Sequence, residues 1–476
     1  MNKIRQEYDF IIIGGGATGC GIALDVATRG YKVLLLEKND FGSGASSKST
    51  KLVHGGVRYL EKAILNLNKA QFKLVNEVLA ERFIFLKNAP NISKSFQILS
   101  PVYSWFQTIY LYCGLKIYEF LSGAKSLGSS TFVSKKELSF LHKKNLIGAI
   151  SFYDGSFNDS QMITSLLITA QKYKAVLNNY CKVKEFLYDD EKVIGVKYFD
   201  KFLEKEFELT SKVIINASGI DIDTIRKIDD ISSKDLITTS KGSHIVLPKE
   251  FLPSKKGILI PKTEDGRVIF FHPWNEVLII GTTELEIDGK CSQKISEEEV
   301  SYLLFYANKY LKKEATKDDI ISTFSGVRAL RKDELKPLSS IVREHIISIS
   351  KSNLVSIGAG KWTTYRKMAE ECLEAIFKEA LIEKKDNCKT KNCQLLPLKS
   401  LGINEADIIY AIENYFVKRA VDILIRITVL ALKDNKKTLS SIEFVCEVMA
   451  KYFLWSDEKK QSEIEYSINY ITSRFL

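Results

Sequence analysis

Three glycines near the start of the chain are spaced for phosphate chemistry. Gly14, Gly16 and Gly19 stand in G-x-G-x-x-G spacing directly after the β-branched run Tyr8 to Ile13, a buried-strand pattern. Ala17 and Thr18 open a stretch that reads as a helix to Arg29, Gly30 ends it, and Tyr31 to Glu37 reads as a second buried strand. In such a unit Gly14 permits the turn, Gly16 lets backbone approach a pyrophosphate, and Gly19 lets the helix pack on the strand. The helix N-terminus then offers its N–H groups to the phosphates. Glu37 closes the second strand 18 residues after Gly19. A carboxylate there accepts hydrogen bonds from both adenosine ribose hydroxyls and repels a 2′-phosphate. The pattern predicts a dinucleotide site and does not choose between NAD and FAD.

Residues 42–59 are rich in small and hydroxyl side chains and end their loop in Gly55-Gly56, which gives backbone close access to something flat or phosphorylated. The run Ser46-Ser47-Lys48-Ser49-Thr50-Lys51-Leu52-Val53-His54-Gly55-Gly56-Val57-Arg58-Tyr59-Leu60-Glu61 closely resembles the signature of the FAD-dependent glycerol-3-phosphate dehydrogenases and oxidases. Further matches follow in order. Asn216-Ala217-Ser218-Gly219 follows an apolar strand and continues Ile220-Asp221 where the family usually has Pro-Trp. Lys241 to Val246 (KGSHIV), His272-Pro273-Trp274 and Gly281 to Glu284 (GTTE) come next. Then Ser325 to Arg328 (SGVR) is followed by Ala329 in place of Pro, Arg343 stands fifteen residues after Arg328, and Gly360 to Arg366 (GKWTTYR) is preceded by Ala359 in place of a glycine. The similarity covers residues 8 to about 375.

The resemblance implies FAD as cofactor, held by Gly14, Gly16, Ala17, Thr18, Gly19, Glu37, Lys38, Ser46, Ser47, Ser49, Thr50, Leu52, His54, Gly55, Gly56, Val183, Ala217, Gly219, Gly360, Thr363 and Thr364. It implies sn-glycerol 3-phosphate as substrate, in a pocket of Arg58, Tyr59, His244, Arg328, Arg343 and Lys361. Oxidising a phosphorylated alcohol needs a dianion clamp, a group to take the hydroxyl proton and a hydride acceptor. The arginines are planar donors suited to bidentate phosphate contact. His244 could accept the C2 hydroxyl proton while the C2 hydride passes to flavin N5, giving dihydroxyacetone phosphate. Lys361 or Arg328 could instead lower the alcohol pKa, so these three are the catalytic candidates. Thr363 and Thr364 would cap a helix aimed at the flavin. Quinone and oxygen are both open as final acceptors. A related flavin amine or hydroxy-acid oxidase is the enzyme alternative, predicting a carboxylate clamp without the Arg328–Arg343 pair. A catalytically inactive flavin-binding, membrane-associated protein is the other alternative, and the intact arginine, histidine and lysine set argues against it.

The elements that must position these residues follow an α/β plan: a Rossmann-type FAD-binding domain interleaved with an antiparallel-sheet substrate domain, plus a small C-terminal helical domain. The expected division is 1–90, 145–235 and 345–385 for the nucleotide domain, 91–144 and 236–344 for the substrate domain, 386–400 as linker and 401–476 as the helical domain. Runs 257–261, 268–271 and 277–281 suit strands of the second sheet. Val417 to Leu432 reads as an amphipathic helix with Val417, Val421, Leu424, Ile425, Thr428 and Leu432 on one face.

A chain of 476 residues exceeds one hydrophobic core, which agrees with two or three domains. The 45% hydrophobic content excludes disorder, and only 26 Gly and 8 Pro exclude a collagen-like fibre. Eight scattered cysteines fit a reducing compartment, and Cys388 and Cys393, with no nearby His, do not make a zinc site, so no metal is expected. The net charge of +11 reads as lysines spread along the whole chain, an anionic ligand or an anionic membrane surface. No nucleic-acid-binding motif accompanies it. The apolar window Val102 to Leu121 contains Gln107, Lys116 and Glu119, too polar for a span. Seven residues before Tyr8 leave no room for a signal peptide. The expected location is cytoplasmic, with peripheral contact on the cytoplasmic face of the membrane left open, as is a homodimer. The aromatic stretch Phe96 to Leu121 is either substrate-domain core or a membrane-interface element.

Overall fold

Strand Tyr8–Ile13 is buried at every position after its first, as a strand covered on both faces requires. It pairs in parallel with Val33–Leu36 on one side and with Lys205–Asn216 on the other. The computed structural model describes residues 7–56, 69–287, 294–332 and 345–476. Arg58, Tyr59 and Arg343 therefore lie outside the described residues. Val176–Asn178 extends the sheet beyond Val33–Leu36, and Val355–Ala359 and then His345–Ile349 extend it beyond Lys205–Asn216. Alternation divides the central strand between two cores. Phe10 and Ile12 face helices Ala17–Thr28, Asp159–Lys172 and Tyr365–Lys378, while Ile11 and Ile13 face the antiparallel pair Cys181–Asp189 and Lys192–Asp200.

The second sheet is antiparallel at every described pairing but that of Gly257–Ile260 with Ser93–Val102. Its order runs Leu285–Ile287, Ile237–Pro248, Val277–Gly281, Ile269–Trp274, Gly257–Ile260, Ser93–Val102, Gly148–Phe157, Leu52–Val53, and Ser322–Arg331 pairs along the other side of Ile237–Pro248. The three strands expected between residues 257 and 281 are thus present. Gly148–Phe157 and Leu52–Val53, which the expected boundaries assign to the nucleotide side, pair in this second sheet. Helix Glu297–Tyr310 buries Val300, Leu303 and Leu304 against the sheet, and a capping box between Ser296 and Glu299 fixes its first turn.

The C-terminal region is helical, with Glu405–Asn414, Asn435–Phe453 and Asp457–Phe475 packed together. The regular helix expected over 417–432 is not formed. Residues 422–427 make a π-helical turn, Val429 adopts φ +55, and a new short helix starts at Leu430. The cause is polar: Arg426 turns inward to a bidentate pair with Asp40, and Asp422 accepts from the N–H groups of Lys418 and Arg419. The window from Phe96 to Leu121 also divides. Strand Ser93–Val102 is largely buried, whereas helix Trp105–Ser122 leaves Trp105 66%, Phe106 81% and Phe120 83% exposed. Among the described residues no helix is long and apolar enough to cross a membrane.

Candidate functional site

A cavity of about 770 Å³ opens at the carboxyl ends of the parallel strands, where Gly14, Glu37, Ala217 and Gly360 follow strand ends. Gly14 has φ +107, and a Cβ there would come within 2.6 Å of the Ala217 carbonyl oxygen. A Cβ on Gly19 would lie 1.8 Å from the Gly14 carbonyl, so the helix sits against its own turn only because that atom is missing. No side chain caps helix Ala17–Thr28 at Gly16. Its N-terminus faces the cavity through Gly16, Ala17 and Thr18, and Ser46 Oγ accepts from the Ala17 N–H at 3.0 Å. Glu37 accepts from the Gly15 N–H at 2.7 Å and the Asn39 N–H at 2.8 Å. Burial pushes its carboxyl up, and these two bonds oppose only part of the rise. A pyrophosphate cradle, an acid for the ribose and a cavity of this size fit FAD.

The other end of the cavity carries His244, Arg328, Lys361, Thr50, Thr282 and Trp362. Arg328 donates through Nη2 to Thr282 Oγ1 at 2.7 Å, and Thr282 in turn donates to the Thr283 carbonyl at 2.9 Å. His244 is 1% exposed and stacks on Phe324 with ring centroids 4.5 Å apart. Burial, and then the charges of Arg328 and Lys51, hold its imidazole well below the usual histidine range, so it is neutral. Trp362 Nε1 donates to the Ser46 carbonyl at 2.8 Å, which ties the segment 360–364 to the serine loop.

Most of the residues expected around the cofactor do line this cavity: Gly14, Gly16, Ala17, Thr18, Glu37, Lys38, Ser46, Ser47, Ser49, Thr50, Leu52, His54, Ala217, Gly219, Gly360 and Thr363. Val183, Gly19, Gly55, Gly56 and Thr364 do not line it. Val183 packs in the core with Phe186 and Val196. Gly55 serves the scaffold, since a Cβ there would lie 2.2 Å from Tyr118 Oη and its N–H donates to Asp154 at 3.2 Å. The expected threonine caps are not made. Thr363 donates to the His54 carbonyl and Thr364 to the Lys361 carbonyl, both at 3.3 Å, because these hydroxyls hold the loop to its neighbours.

Sequence reasoning missed two buried carboxylates and one wall. Lys51 and Asp159, both wholly buried, pair at 2.5 Å beneath the site. Glu299 accepts from Lys241, Ser243, Thr283 and the Ser296 N–H, pinning the back of the strand that carries His244. The lysines Lys51 and Lys241 stand inside the matched motifs and were the available signal; their partners stand 108 and 58 residues away. The missed wall is the last helix, where Tyr466, Tyr470 and Arg474 line the cavity beside Lys48. Burial and Arg474 push the Lys48 ammonium down to about 7.

Residues 9–366 match the model of the FAD dependent oxidoreductase family. The chain belongs to that family. Residues 375–460 match the C-terminal domain of alpha-glycerophosphate oxidase. This FAD-dependent oxidoreductase is 39% identical over 404 residues to a probable glycerol-3-phosphate dehydrogenase of Encephalitozoon cuniculi, covering 83% of the chain and 66% of that protein. It is 36% identical over 536 residues to the mitochondrial glycerol-3-phosphate dehydrogenase of Mus musculus, covering 98% of the chain and 74% of the mouse protein. Among solved structures, the glycerol-3-phosphate dehydrogenase of Bacillus halodurans complexed with FAD superposes with a TM-score of 0.78 at 26% identity, over 99% of this chain and 95% of that one. The FAD-dependent family thus agrees with the fold, the cradle and the cavity.

Proposed function

We infer that this chain oxidises sn-glycerol 3-phosphate to dihydroxyacetone phosphate as a FAD-dependent glycerol-3-phosphate dehydrogenase. The observation that carries the reading is that His244, Arg328 and Lys361 line the same cavity as the glycine loop. FAD, when bound, supplies the two-electron acceptor for the C2 hydride. The protein's part is to clamp the phosphate and to take one proton. Arg328, braced by Thr282, meets the phosphate together with Lys361, and Arg58 and Arg343 complete the clamp. His244, kept neutral by its burial and its cationic neighbours, takes the C2 hydroxyl proton. Phe324 and Gly281 hold its ring in place and exclude water from it. The two sheets are read as the cores of a discontinuous nucleotide domain and a substrate domain.

The test is direct. Glycerol 3-phosphate added without oxygen to the purified yellow protein should bleach the flavin absorbance, and an unbleached flavin would remove the reading. A His244→Ala variant that keeps the full bleaching rate would remove His244 from its role. Admitting oxygen and assaying peroxide then separates oxygen from quinone as the acceptor.

The exposed aromatic face of helix Trp105–Ser122 supports a peripheral membrane contact as well. Trp105, Phe106, Ile109 and Phe120 stand out of the fold beside Lys116, a pattern suited to the interfacial zone of a bilayer. Co-sedimentation with liposomes that survives salt and is lost in Phe106→Ser/Phe120→Ser would support it, and a protein that never sediments would end it.

A further inference from the structure

His244 lines the cavity among three close neighbours. Its ring lies over Gly281, where a Cβ would come within 2.2 Å of it, and against Phe324 on the neighbouring strand. Among the described residues Nδ1 is enclosed and has no hydrogen-bond partner. Nε2 lies 2.9 Å from Thr50 Oγ1, and Thr50 is only half-buried and lines the cavity. His244 and Thr50 both line the cavity, and the Thr50 hydroxyl is the group that Nε2 meets there.

The backbone around that hydroxyl is held from both sides. The Ser49 N–H and hydroxyl both donate to Asp159 Oδ2, at 3.1 and 2.7 Å, and the Lys51 N–H donates to Ser49 Oγ at 3.0 Å. Lys51 adopts φ +61 and sends its ammonium to the other oxygen of Asp159. On the far side His272 Nδ1 meets the Thr50 carbonyl at 2.9 Å. A carbonyl only accepts, so that nitrogen carries the proton, and His272 Nε2 accepts from Ser156 Oγ at 3.0 Å. With the main chain clamped, the hydroxyl rotor is what remains to move.

We propose that Thr50 relays the substrate's proton to His244, with the Asp159–Lys51 pair holding the relay in register. The alcohol O–H bond breaks and its proton goes to Thr50 Oγ1 as the proton already on Oγ1 crosses to His244 Nε2. The imidazole becomes imidazolium, and the electron pair left on the alcohol oxygen closes the C2=O bond as C2 gives up its hydride to the bound cofactor. The relay rests on the reading of His244 as proton acceptor.

Stopped-flow reduction of the FAD-loaded enzyme by glycerol 3-phosphate, without oxygen, tests it in Thr50→Val, Thr50→Ser, His244→Asn and the Val/Asn double variant. The flavin spectrum of each variant establishes loading first. Thr50→Val should lower the limiting rate about 100-fold, the scale of a general-base contribution, while half-saturation by substrate moves less than about threefold. Thr50→Ser, which keeps the hydroxyl, should recover most of the rate. The double variant should be no slower than His244→Asn alone, because both remove one pathway. A Thr50→Val enzyme with the wild-type limiting rate, or a double variant in which the two losses multiply, overturns the relay and leaves His244 standing. A His244→Asn enzyme with the wild-type rate overturns the reading beneath it, a distinct result.

Discussion

Replacing Asp159 by Ala should cost this protein more than almost any single change outside the glycine loop. Lys51 and Asp159 are both 0% exposed and 2.5 Å apart, and Asp159 also accepts from the N–H and hydroxyl of Ser49 and from the Ser160 N–H. The substitution leaves an ammonium buried with a long contact to the Ser47 carbonyl at 3.4 Å and two aromatic faces, Trp274 at 5.2 Å and Phe324 at 5.6 Å. Those faces are present before and after, so they do not soften the difference. Breaking a buried ion pair on one side costs about 3–5 kcal/mol, a large fraction of the about 5–15 kcal/mol that holds a folded protein together. Removing the cation as well, in Asp159→Ala/Lys51→Met, should return part of the loss, because the stranded charge is gone while the Ser49 and Ser160 donors still lack their acceptor. Glu447→Ala is the control: its pair with Lys451 is 65% and 54% exposed and should shift stability by less than about 0.5 kcal/mol. Urea titrations followed by far-UV circular dichroism and by flavin release measure all four proteins. Equal midpoints for wild type and Asp159→Ala, or a double variant no better than the single, would refute the argument.

Three further outcomes follow from the same structure. Gly19→Ala should abolish FAD retention through purification, since its Cβ would sit 1.8 Å from the Gly14 carbonyl oxygen and backbone cannot yield as a flexible side chain can. Ala359→Gly should raise stability by about 1 kcal/mol in urea, because Ala359 holds φ +60, a conformation that costs an L-residue about that much. Asp422 carries a carboxyl raised by burial and by Asp40, so the folded protein keeps a proton that the unfolded chain has already lost. Stability from this group is present at low pH and falls as pH rises from the ordinary carboxylate range through the raised one. Urea midpoints measured across that range should decline in wild type and flatten in Asp422→Asn.

Much of the nucleotide half was legible because its signals are local. Tyr8–Ile13, the three glycines and Glu37 lie within thirty residues of one another, and the strand–helix–strand unit they encode needs little from the rest of the chain. The second sheet was legible in its hairpins, where Ile269–Trp274 and Val277–Gly281 are neighbours in sequence and in space. It was less so where Leu52–Val53 joins Gly148–Phe157 across a hundred residues, a pairing that period-two patterning cannot announce. Local reading also failed at 417–432. The apolar spacing there is sound, yet Arg426 is pulled to Asp40 from 386 residues away, and a regular helix gives way to satisfy a buried charge.

The site shows the same division between what spacing can carry and what only folding brings together. His244, Arg328 and Lys361 stand in motifs and converge on one cavity. What makes His244 usable is absent from those motifs. The face of Phe324 comes from the adjacent strand, the space comes from the missing side chain of Gly281, and the hydroxyl comes from Thr50, 194 residues earlier. Thr50 and Gly281 stand in matched motifs of their own, but nothing local in the sequence says that they and Phe324 meet His244. Their joint effect is a neutral imidazole, shielded from water, with one nitrogen turned to a mobile hydroxyl. A proton acceptor that must stay uncharged until substrate arrives gains from that shielding, since a solvated imidazole is free to take a proton from water before the alcohol arrives. Under the proposed role of His244 as proton acceptor, the burial that lowers its basicity is the same feature that keeps it free for the alcohol.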